Sequence, residues 1–336
     1  MLAGRYSLKH VFFLCVFDLR VRRASALPMN ARQQTSGMWL GLLGVVIFAI
    51  TLPMTRLATG PVQDPQLSAW FITFARAALA GGLSIVFLVL TRSPWPQAAQ
   101  RKPLFLALLG NAIGFPLLLG LALRQVSSGH AAVFTALLPL ATAALSAWVL
   151  HLRAPRAFWV CAGLGALLVL CFSLLRAAQQ GPGFQFEWAD ALLVGAILSA
   201  AMGYVYGAQV TPALGAERVI CWVCVMALPL TVPGALLNWP EHSIRLSSWL
   251  ALGYVGVFSM WAGFFAWYRG LAMGGALRVS QLQLLQPFFS ILAAVPLLGE
   301  SLELMTLGFA LAVVVVVFLG KRVSMPAPPA KVAEDG

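Results

Sequence analysis

The chain has 336 residues, of which 60% are hydrophobic and only 10% are charged, whereas soluble globular domains carry about 25% charged residues. This composition excludes an ordinary water-soluble fold. The net charge is +12, but the basic residues lie in short gaps between apolar runs, which argues against a nucleic-acid-binding surface. The sequence therefore predicts an all-α integral membrane protein whose main surroundings are the lipid bilayer.

Ten runs of the sequence are close to the roughly 20 apolar residues that a helix needs to cross the bilayer core. A helix closes its own backbone hydrogen bonds in lipid, so each run is predicted to be a transmembrane helix. Arg76 is the one charged residue inside a run. The predicted spans are 39–55, 67–90, 104–123, 129–150, 157–175, 191–209, 219–237, 247–268, 279–298 and 304–320.

The 22 Lys and Arg residues are divided unevenly between the two sets of loops. Seventeen fall in the termini and the loops on one side, four fall on the other side, and Arg76 lies within a span. Cytoplasmic loops of membrane proteins carry the excess of basic residues. Both termini of this multi-pass chain are therefore predicted to be cytoplasmic, in a plasma membrane of the bacterial inner-membrane type.

The two ends of the chain lie outside the predicted spans. Residues 1–36 form a basic cytoplasmic arm, and residues 321–336 form a proline-containing tail that is expected to be disordered. Within the arm, residues 11–17 are apolar but too short for a span and weak as the core of a signal peptide. Met29 could be the true start of translation, which would remove most of the arm.

The chain repeats its landmarks when it is shifted along itself by 148 residues, because Pro139 then falls on Pro287 and the spans coincide. Few residues are identical, so the repeat is a pattern of lengths rather than of sequence. A unit of five spans is odd, and its second copy therefore enters the membrane from the opposite side. The sequence predicts ten transmembrane helices arranged as two inverted five-helix repeats, residues 37–177 and 188–320.

Several short motifs carry a family resemblance. They are Arg76 within residues 74–80, Val-Ser-Ser-Gly-His-Ala at 126–131, Leu-Pro-Leu at 138–140, Leu-Gln-Pro-Phe at 285–288 and Leu-Gly-Glu at 298–300. Together with the five-plus-five arrangement of spans, they resemble the drug/metabolite transporter superfamily, EamA type, over about residues 37–322. The resemblance implies a secondary carrier, often an exporter, of small metabolites or drugs. Its motifs are specific for the family and uninformative about the substrate.

The chain departs from the family pattern after the fourth span. The family usually has a glutamate there as well as after the ninth span, but this sequence has Leu152 at the place equivalent to Glu300. A mechanism that needs a symmetric pair of carboxylates is therefore in doubt. The departure also indicates that the gates on the two sides of the membrane are not equivalent.

Arg76 is the first candidate for contact with a substrate. It lies about three residues from the middle of its span, where a charge is costly and almost always faces a cavity or a partner. One interpretation makes its guanidinium the counter-charge for a substrate carboxylate or phosphate. The other makes it a brace that donates hydrogen bonds to carbonyls at helix ends. The sequence leaves both interpretations open.

The ninth span carries three glutamines, of which Gln283 and Gln286 share one helix face. Amides in hydrocarbon either hold helices together or line an aqueous cavity. We favour the cavity, because the repeat places Thr135 opposite Gln283 and because Pro287 would loosen the helix at this point.

Three further residues complete the predicted substrate-binding set. Asn111 is an amide within the third span, and Tyr204 and Trp261 are aromatic residues that could form the walls of a pocket for an amphipathic solute. The full predicted set is Arg76, Asn111, Thr135, Tyr204, Trp261, Gln283 and Gln286. We expect no catalytic residue, metal or cofactor, because the sequence lacks a P-loop, a dinucleotide-binding motif and a zinc-protease motif.

These observations favour a secondary transporter that moves a small neutral or anionic metabolite, such as an amino acid or another carboxylate, by alternating access in efflux or exchange. No Asp or Glu lies in mid-span, which argues against a proton relay through a buried carboxylate; protonation of His130 or Asp190 is a lesser alternative. An integral membrane enzyme acting on a lipid or prenyl substrate is the other hypothesis, although its acids would have to cluster. The oligomeric state stays open and includes a monomer.

Overall fold

The computed structural model describes residues 31–149, 156–179, 188–274, 279 and 282–324, and all regular structure within these ranges is helical. Four helices are composite and consist of two or three successive segments. The helices are α1 (Ala31–Thr59), α2 (Ala69–Leu90), α3 (Ala98–Ala107, Leu108–Gly114 and Phe115–Ala122), α4 (Ser128–Thr135 and Leu138–Val149), α5 (Arg156–Gln179), α6 (Trp188–Leu214), α7 (Ala216–Leu237), α8 (Leu246–Tyr254, Val255–Ala262 and Gly263–Gly274), α9 (Leu282–Leu285 and Gln286–Leu298) and α10 (Leu304–Ser324).

Seven helices in the described part of the chain are long and apolar enough to cross a membrane, and they come from α1, α2, α3, α4, α6, α7 and α8. Three shorter apolar helices lie in α5, α9 and α10, over Trp159–Phe172, Leu282–Leu298 and Leu304–Leu319. The predicted fold class is confirmed as an all-helical, multi-pass membrane protein. The count of ten spans stays a prediction, since α5 and α9 adjoin residues outside the described ranges.

The first and last helices extend beyond the predicted domain boundaries. Helix α1 begins at Ala31, within the predicted arm, and α10 continues to Ser324, so that residues 321–324 of the predicted disordered tail are helical. A helix can continue past the membrane surface without a change in its backbone hydrogen bonds, so hydropathy marks the apolar span rather than the end of the helix. Residues 1–30 and 325–336 lie outside the described residues.

Helix ends follow local sequence signals. The Ser68 hydroxyl accepts a hydrogen bond from the backbone N–H of Phe71 at the start of α2, as a serine N-cap does. Ser127 does the same for His130 at the start of α4. Helix α9 ends at Gly299, whose φ of 69° lies in the left-handed region that glycine adopts without strain.

Two helices contain a wide π-helical segment in mid-course, at Leu108–Gly114 in α3 and at Val255–Ala262 in α8. Such segments are uncommon and are frequently found at functional sites. Two other helices are interrupted: α4 breaks between Thr135 and Leu138, and α9 begins with the short 3₁₀ segment Leu282–Leu285. The irregular parts of the bundle are thus confined to α3, α4, α8 and α9.

The helices pack in a regular set of pairs. Helix α1 contacts α8 and α9, whereas α6 contacts α3 and α4; α2 packs on α7, and α5 packs on α10. Phe134, Phe172 and Leu193 are fully buried in one apolar cluster, between α4, α5 and α6. A second cluster around Trp222 and Met260 joins α7 to α8. These contacts place the irregular helix segments inside the bundle.

Candidate functional site

Arg76 is buried within α2, with only 3% of its surface exposed. Its Nη2 donates to the Ser259 hydroxyl at 3.2 Å and lies 3.9 Å from the Met260 sulfur. Its Nε and Nη1 atoms have no hydrogen-bond partner, and the ion pairs found among the described residues do not include Arg76. A guanidinium that is buried with two unsatisfied donors is costly unless a further group binds to it.

The π-helical segment of α8 brings its backbone and side chains against Arg76. A Cβ atom on Gly256 would lie 3.4 Å from the Arg76 Cα and 2.8 Å from the Leu79 side chain, so only glycine allows this approach without repacking. The Ser259 hydroxyl that faces Arg76 also accepts a hydrogen bond of 2.8 Å from Thr51 of α1. Helices α1, α2 and α8 therefore meet at Arg76.

Trp261 and Tyr204 lie in aromatic packing within the same apolar cluster. The Trp261 ring is 4.6 Å from Phe265 between centroids, and its indole N–H is buried without a partner. Tyr204 faces the edge of Phe264 at 6.5 Å between centroids. Both residues are half-buried, as pocket walls or packing residues would be.

Asn111 lies in the third predicted span, as expected, but at a contact between two helices. It lies in the π-helical part of α3 with 8% exposure, and its side chain packs directly over Gly203 of α6. A Cβ atom on the neighbouring Gly110 would lie 2.8 Å from the Gly203 Cα. Asn111 thus fills the point where α3 and α6 approach most closely, which is a packing position.

Thr135, Gln283 and Gln286 are brought together as the repeat predicts. They line one cavity, about 10 Å³ in volume, between the break of α4 and the start of α9, beside Pro139 and Pro287. That volume corresponds to roughly one water molecule. The Thr135 hydroxyl bonds back to its own helix, at the carbonyl of Ala132.

The predicted residues therefore form separate sets. Arg76 and Trp261 lie on α2 and α8, the cavity residues lie between α4 and α9, and Asn111 lies at the contact of α3 with α6. Gln281, the third glutamine of the ninth span, lies outside the described residues.

One polar cluster was not anticipated as a site. Glu300, just after α9, accepts hydrogen bonds from the backbone N–H groups of Ser128 at 2.9 Å and Gly129 at 3.2 Å. The Nε atom of Arg56 is 3.3 Å from the same carboxylate, and the Nη1 atom of Arg56 donates to the carbonyls of Leu123 and Val126. We call this arrangement the α4 clamp.

The clamp has a clear electrostatic basis. The first backbone N–H groups of a helix are unsatisfied and carry partial positive charge, so a carboxylate there is stabilising. The sequence marked Glu300 as part of a family motif, but it did not indicate a contact between Glu300 and Arg56. The Ser-Ser-Gly stretch before an apolar run was the signal for a helix start that could receive an acid.

A second buried polar contact joins α4 to α6. The Nε2 atom of His130 is 2.7 Å from Oδ1 of Asp190, and the two residues are 4% and 9% exposed. The His130 ring stacks on Phe134 and lies 5.0 Å from Phe172 between centroids. The sequence indicated each residue as a candidate for protonation, but the pairing depends on how α4 packs against α6.

Among the residues that the structure describes, no group of three or more His, Cys, Asp or Glu residues could hold a metal ion. Cys221 and Cys224 are separated by two residues, which is the spacing of the Cys-X-X-Cys redox motif. Both are buried free thiols in an apolar helix.

Comparison with known proteins agrees with the fold. A family model described as "EamA-like transporter family" matches residues 35–174 and 187–320. The chain is similar to the "Uncharacterized transporter YdeK" of Bacillus subtilis (strain 168), with 39% identity over 292 residues, covering 86% of this chain and 98% of the relative.

A solved structure described as "Crystal structure of protein" matches with a TM-score of 0.55 at 22% sequence identity, covering 87% of this chain and 98% of that chain. At that identity the match shows a shared fold. The family match covers two successive segments that together make up most of the chain, and the relative is matched along almost its whole length. The chain belongs to the EamA-like transporter family and is a multi-pass membrane transporter.

Proposed function

We propose that this transporter is a secondary carrier, rather than an enzyme, for a small neutral or anionic solute such as an amino acid or another carboxylate. Ten spans form two inverted halves, α1–α5 and α6–α10, and alternating access between the halves produces efflux or exchange. The carrier works in the plasma membrane of a bacterial-type cell. The observation that carries this proposal is the cavity where the interrupted helices α4 and α9 meet.

The irregular segments support two equivalent halves. The π-helical segments begin at Leu108 and Val255, 147 residues apart, and α3 and α8 begin at Ala98 and Leu246, 148 residues apart. The break in α4 at residues 136–137, shifted by 148, falls within the 3₁₀ segment of α9 at Leu282–Leu285. Helix irregularities that recur 147–148 residues apart are what a structural repeat produces.

The packing pairs support the inverted arrangement. Suppose that each helix from α1 to α5 corresponds to the helix five positions later in the chain. The contacts of α1 with α8 and α9 then correspond to those of α6 with α3 and α4. The contacts α2 with α7 and α5 with α10 map onto themselves. A two-fold axis in the membrane plane between the halves accounts for this exchange, and carriers of this kind hold the solute near that axis.

The cavity between α4 and α9 supports the location of the solute. Thr135, Gln283 and Gln286 offer a hydroxyl and two amides at a point where both helices are broken. In other carriers, half-helix ends and unwound backbone at the membrane midplane coordinate solutes and ions. The cavity in this conformation holds no more than about a water, so binding a solute requires the two halves to separate here.

The preference for a neutral or anionic solute depends on Arg76. Two of its nitrogen atoms lack partners in a buried site. A solute carboxylate would accept a charge-assisted hydrogen bond from one of these two nitrogen atoms, whereas a cationic solute would be repelled. Trp261 and Tyr204 would then line the path beside Arg76, and Asn111 would act mainly through packing at the contact of α3 with α6.

The charge bias of the loops sets the proposed orientation, with both termini cytoplasmic. Helix α1 then runs outward, and the α4 clamp, which includes Arg56 near the end of α1, closes the outer side. On this proposal, the conformation described is the one closed on the outer side.

A thermal-shift screen of the purified transporter tests the proposal, since a solute that binds only the folded state raises its Tm. The panel contains amino acids, dicarboxylates, nucleosides and cationic drugs. Carboxylate-bearing solutes should raise the Tm of the wild type and of an Arg101→Ala control, which removes an exposed arginine, but not of Arg76→Ala. Stabilisation by cationic drugs alone, unchanged in Arg76→Ala, would show that the solute class is wrong and that Arg76 is a brace.

A further inference from the structure

We propose that the His130–Asp190 pair is the binding site for a coupling proton, and that its occupancy controls the outer gate. The inference rests on the proposed carrier function and adds the driving ion. It assigns one proton per site, taken up by the His130 imidazole and released from it again. The Asp190 carboxylate is the hydrogen-bond partner of the imidazole, and no covalent bond to carbon forms or breaks.

The first support is that this is a contact between a buried acid and a buried histidine, and no other such contact occurs among the described residues. Asp190 is the one buried acid there, while Asp64, Glu217, Glu241, Glu300 and Glu303 are half-buried or exposed. His130 is likewise the buried histidine, whereas His242 is exposed. The two buried titratable groups of opposite type contact each other at 2.7 Å. Buried ionisable residues in membrane-spanning helices commonly mark ion pathways and proton relays.

The second support is the position of the pair between the proposed halves. His130 lies in the first turn of α4, in the first half, and Asp190 lies in the first turn of α6, in the second half. Gly129, next to His130, is held by Glu300 in the α4 clamp. A change in the His130–Asp190 bond therefore acts on the same helix end that the clamp closes.

The third support is electrostatic. Phe134 and Phe172 pack against the imidazole, so water has little access in the closed state. With His130 protonated, the pair is a charge-assisted hydrogen bond with no net charge. With His130 neutral, Asp190 keeps a buried negative charge without a cation, which is costly and is relieved by hydration. Protonation should thus hold α4 against α6, and deprotonation should favour opening.

Other charges near the pair also affect the relative stability of the protonated and neutral forms of His130. A cation in the first turn of α4 is disfavoured by the helix dipole, while Asp190 is favoured in the first turn of α6. Glu300 and Arg56 in the clamp offset each other near α4. Glu303, at the start of α10, adds a further acid at this end of the bundle.

Three further charged residues adjoin these helices in the sequence. Arg124 lies in the loop that leads from α3 to α4. Arg176, one turn beyond Phe172 on α5, has a side chain outside the described residues, and Glu187, before α6, lies outside them altogether.

The test measures opening of the outer gate without any solute. Val126→Cys places a thiol at a buried position of the clamp, in a background with Cys15, Cys161 and Cys171 replaced by serine. Labelling by a membrane-impermeant maleimide is measured in proteoliposomes at about pH 5.5 and about pH 8, which lie in the range where histidine side chains in proteins change charge. An exposed Glu241→Cys variant corrects for the effect of pH on thiol reactivity.

The corrected labelling of Val126→Cys should rise several-fold between the lower and the higher pH. His130→Gln and the isosteric Asp190→Asn should each abolish that rise, while His242→Gln, which removes an exposed histidine, should keep it. Asp190→Asn retains the size and one acceptor of the side chain, so it covers the case in which His130→Gln fails to fold.

Labelling that does not change with pH, or a pH response that survives in both pair variants, would overturn the inference. Because no solute is present, that result would leave the carrier proposal and its thermal-shift test unaffected. Conversely, a pH-gated thiol with no stabilising solute in the screen would support the proton site and contradict the proposed solute class.

Discussion

The carboxylate of Glu300 accepts the backbone N–H of Ser128 at 2.9 Å, so that the end of α9 caps the beginning of α4. These residues are 172 positions apart in the chain. The same carboxylate is paired with Arg56 of α1. In the sequence, the position 148 residues before Glu300 is Leu152, so the corresponding cap on the opposite side of the proposed repeat cannot be made by a carboxylate. In the proposed inverted repeat, the two ends of the carrier would therefore differ in chemistry.

Replacing Glu300 by Gln should destabilise the closed outer gate. The substitution removes the negative charge from two backbone N–H groups and from Arg56, and hydrogen bonds to charged groups contribute about 1.5–3 kcal/mol each. We expect a lower Tm and faster maleimide labelling of Val126→Cys. Glu241→Gln, which removes an exposed loop acid, is the control and should change neither quantity. Equal labelling of the two variants would show that the clamp does not hold the gate.

Gly110 should tolerate no side chain. A Cβ atom there would lie 2.5 Å from the backbone nitrogen and 2.8 Å from the Cα of Gly203, and backbone atoms of a packed helix cannot move aside cheaply. Gly110→Ala is therefore expected to cost at least about 1–3 kcal/mol, as overpacking does. The measurement is the Tm of the purified protein.

Gly163 on α5 is the matched control for this test, because nothing lies within 4 Å of a Cβ built on it. Gly163→Ala should leave the Tm unchanged or raise it, since alanine favours the helix by about 0.5–1 kcal/mol over glycine. If both alanine variants had the same Tm, the close approach of α3 and α6 would be disproved.

Arg76→Met should separate stability from solute binding. Methionine has similar length without the charge, and it removes a buried charge with two unsatisfied donors, whose burial is costly. We expect an equal or higher Tm without solute and no further rise with carboxylates. Arg76→Lys, which keeps the charge but loses the planar donors, should retain a weaker rise. A large fall in the Tm of Arg76→Met would instead identify Arg76 as a structural brace.

Hydropathy predicted the helices well, because a long apolar run in lipid has few alternatives to a helix. It could not predict where helices are irregular, because hydropathy does not encode close contacts between helices such as that of the π-helical segment around Asn111 with Gly203. The search for acidic residues in the middle of predicted spans also missed Asp190. That residue is buried because α4 brings His130 against it, although it lies only in the first turn of its helix.

Predicting contacts between distant parts of the chain required the repeat. The 148-residue shift placed Thr135 opposite Gln283, and both residues line the same cavity beside the helix breaks. Arg56 and Glu300 have no such relation, and nothing local in the sequence connects them. Their contact follows from the packing of α1 against α9, which hydropathy does not encode.

Thr135→Val should affect the solute more than the fold. The Thr135 hydroxyl lines the cavity between α4 and α9, yet its hydrogen bond goes only to the carbonyl of Ala132 in its own helix. Valine keeps the shape of the side chain, so the free energy of unfolding without solute should change by no more than about 0.5 kcal/mol. The Tm without solute should therefore change little. The rise in Tm caused by a binding solute should become smaller.

Thr142→Val provides a matched control on the same helix. The Thr142 hydroxyl makes the same kind of bond, to the carbonyl of Leu138 at 2.8 Å, but Thr142 is not among the residues that line the cavity. Its solute-induced rise in Tm should equal that of the wild type. If the two valine variants lost the same amount, the effect would come from helix α4 as a whole, and the assignment of the solute site to the cavity would be wrong.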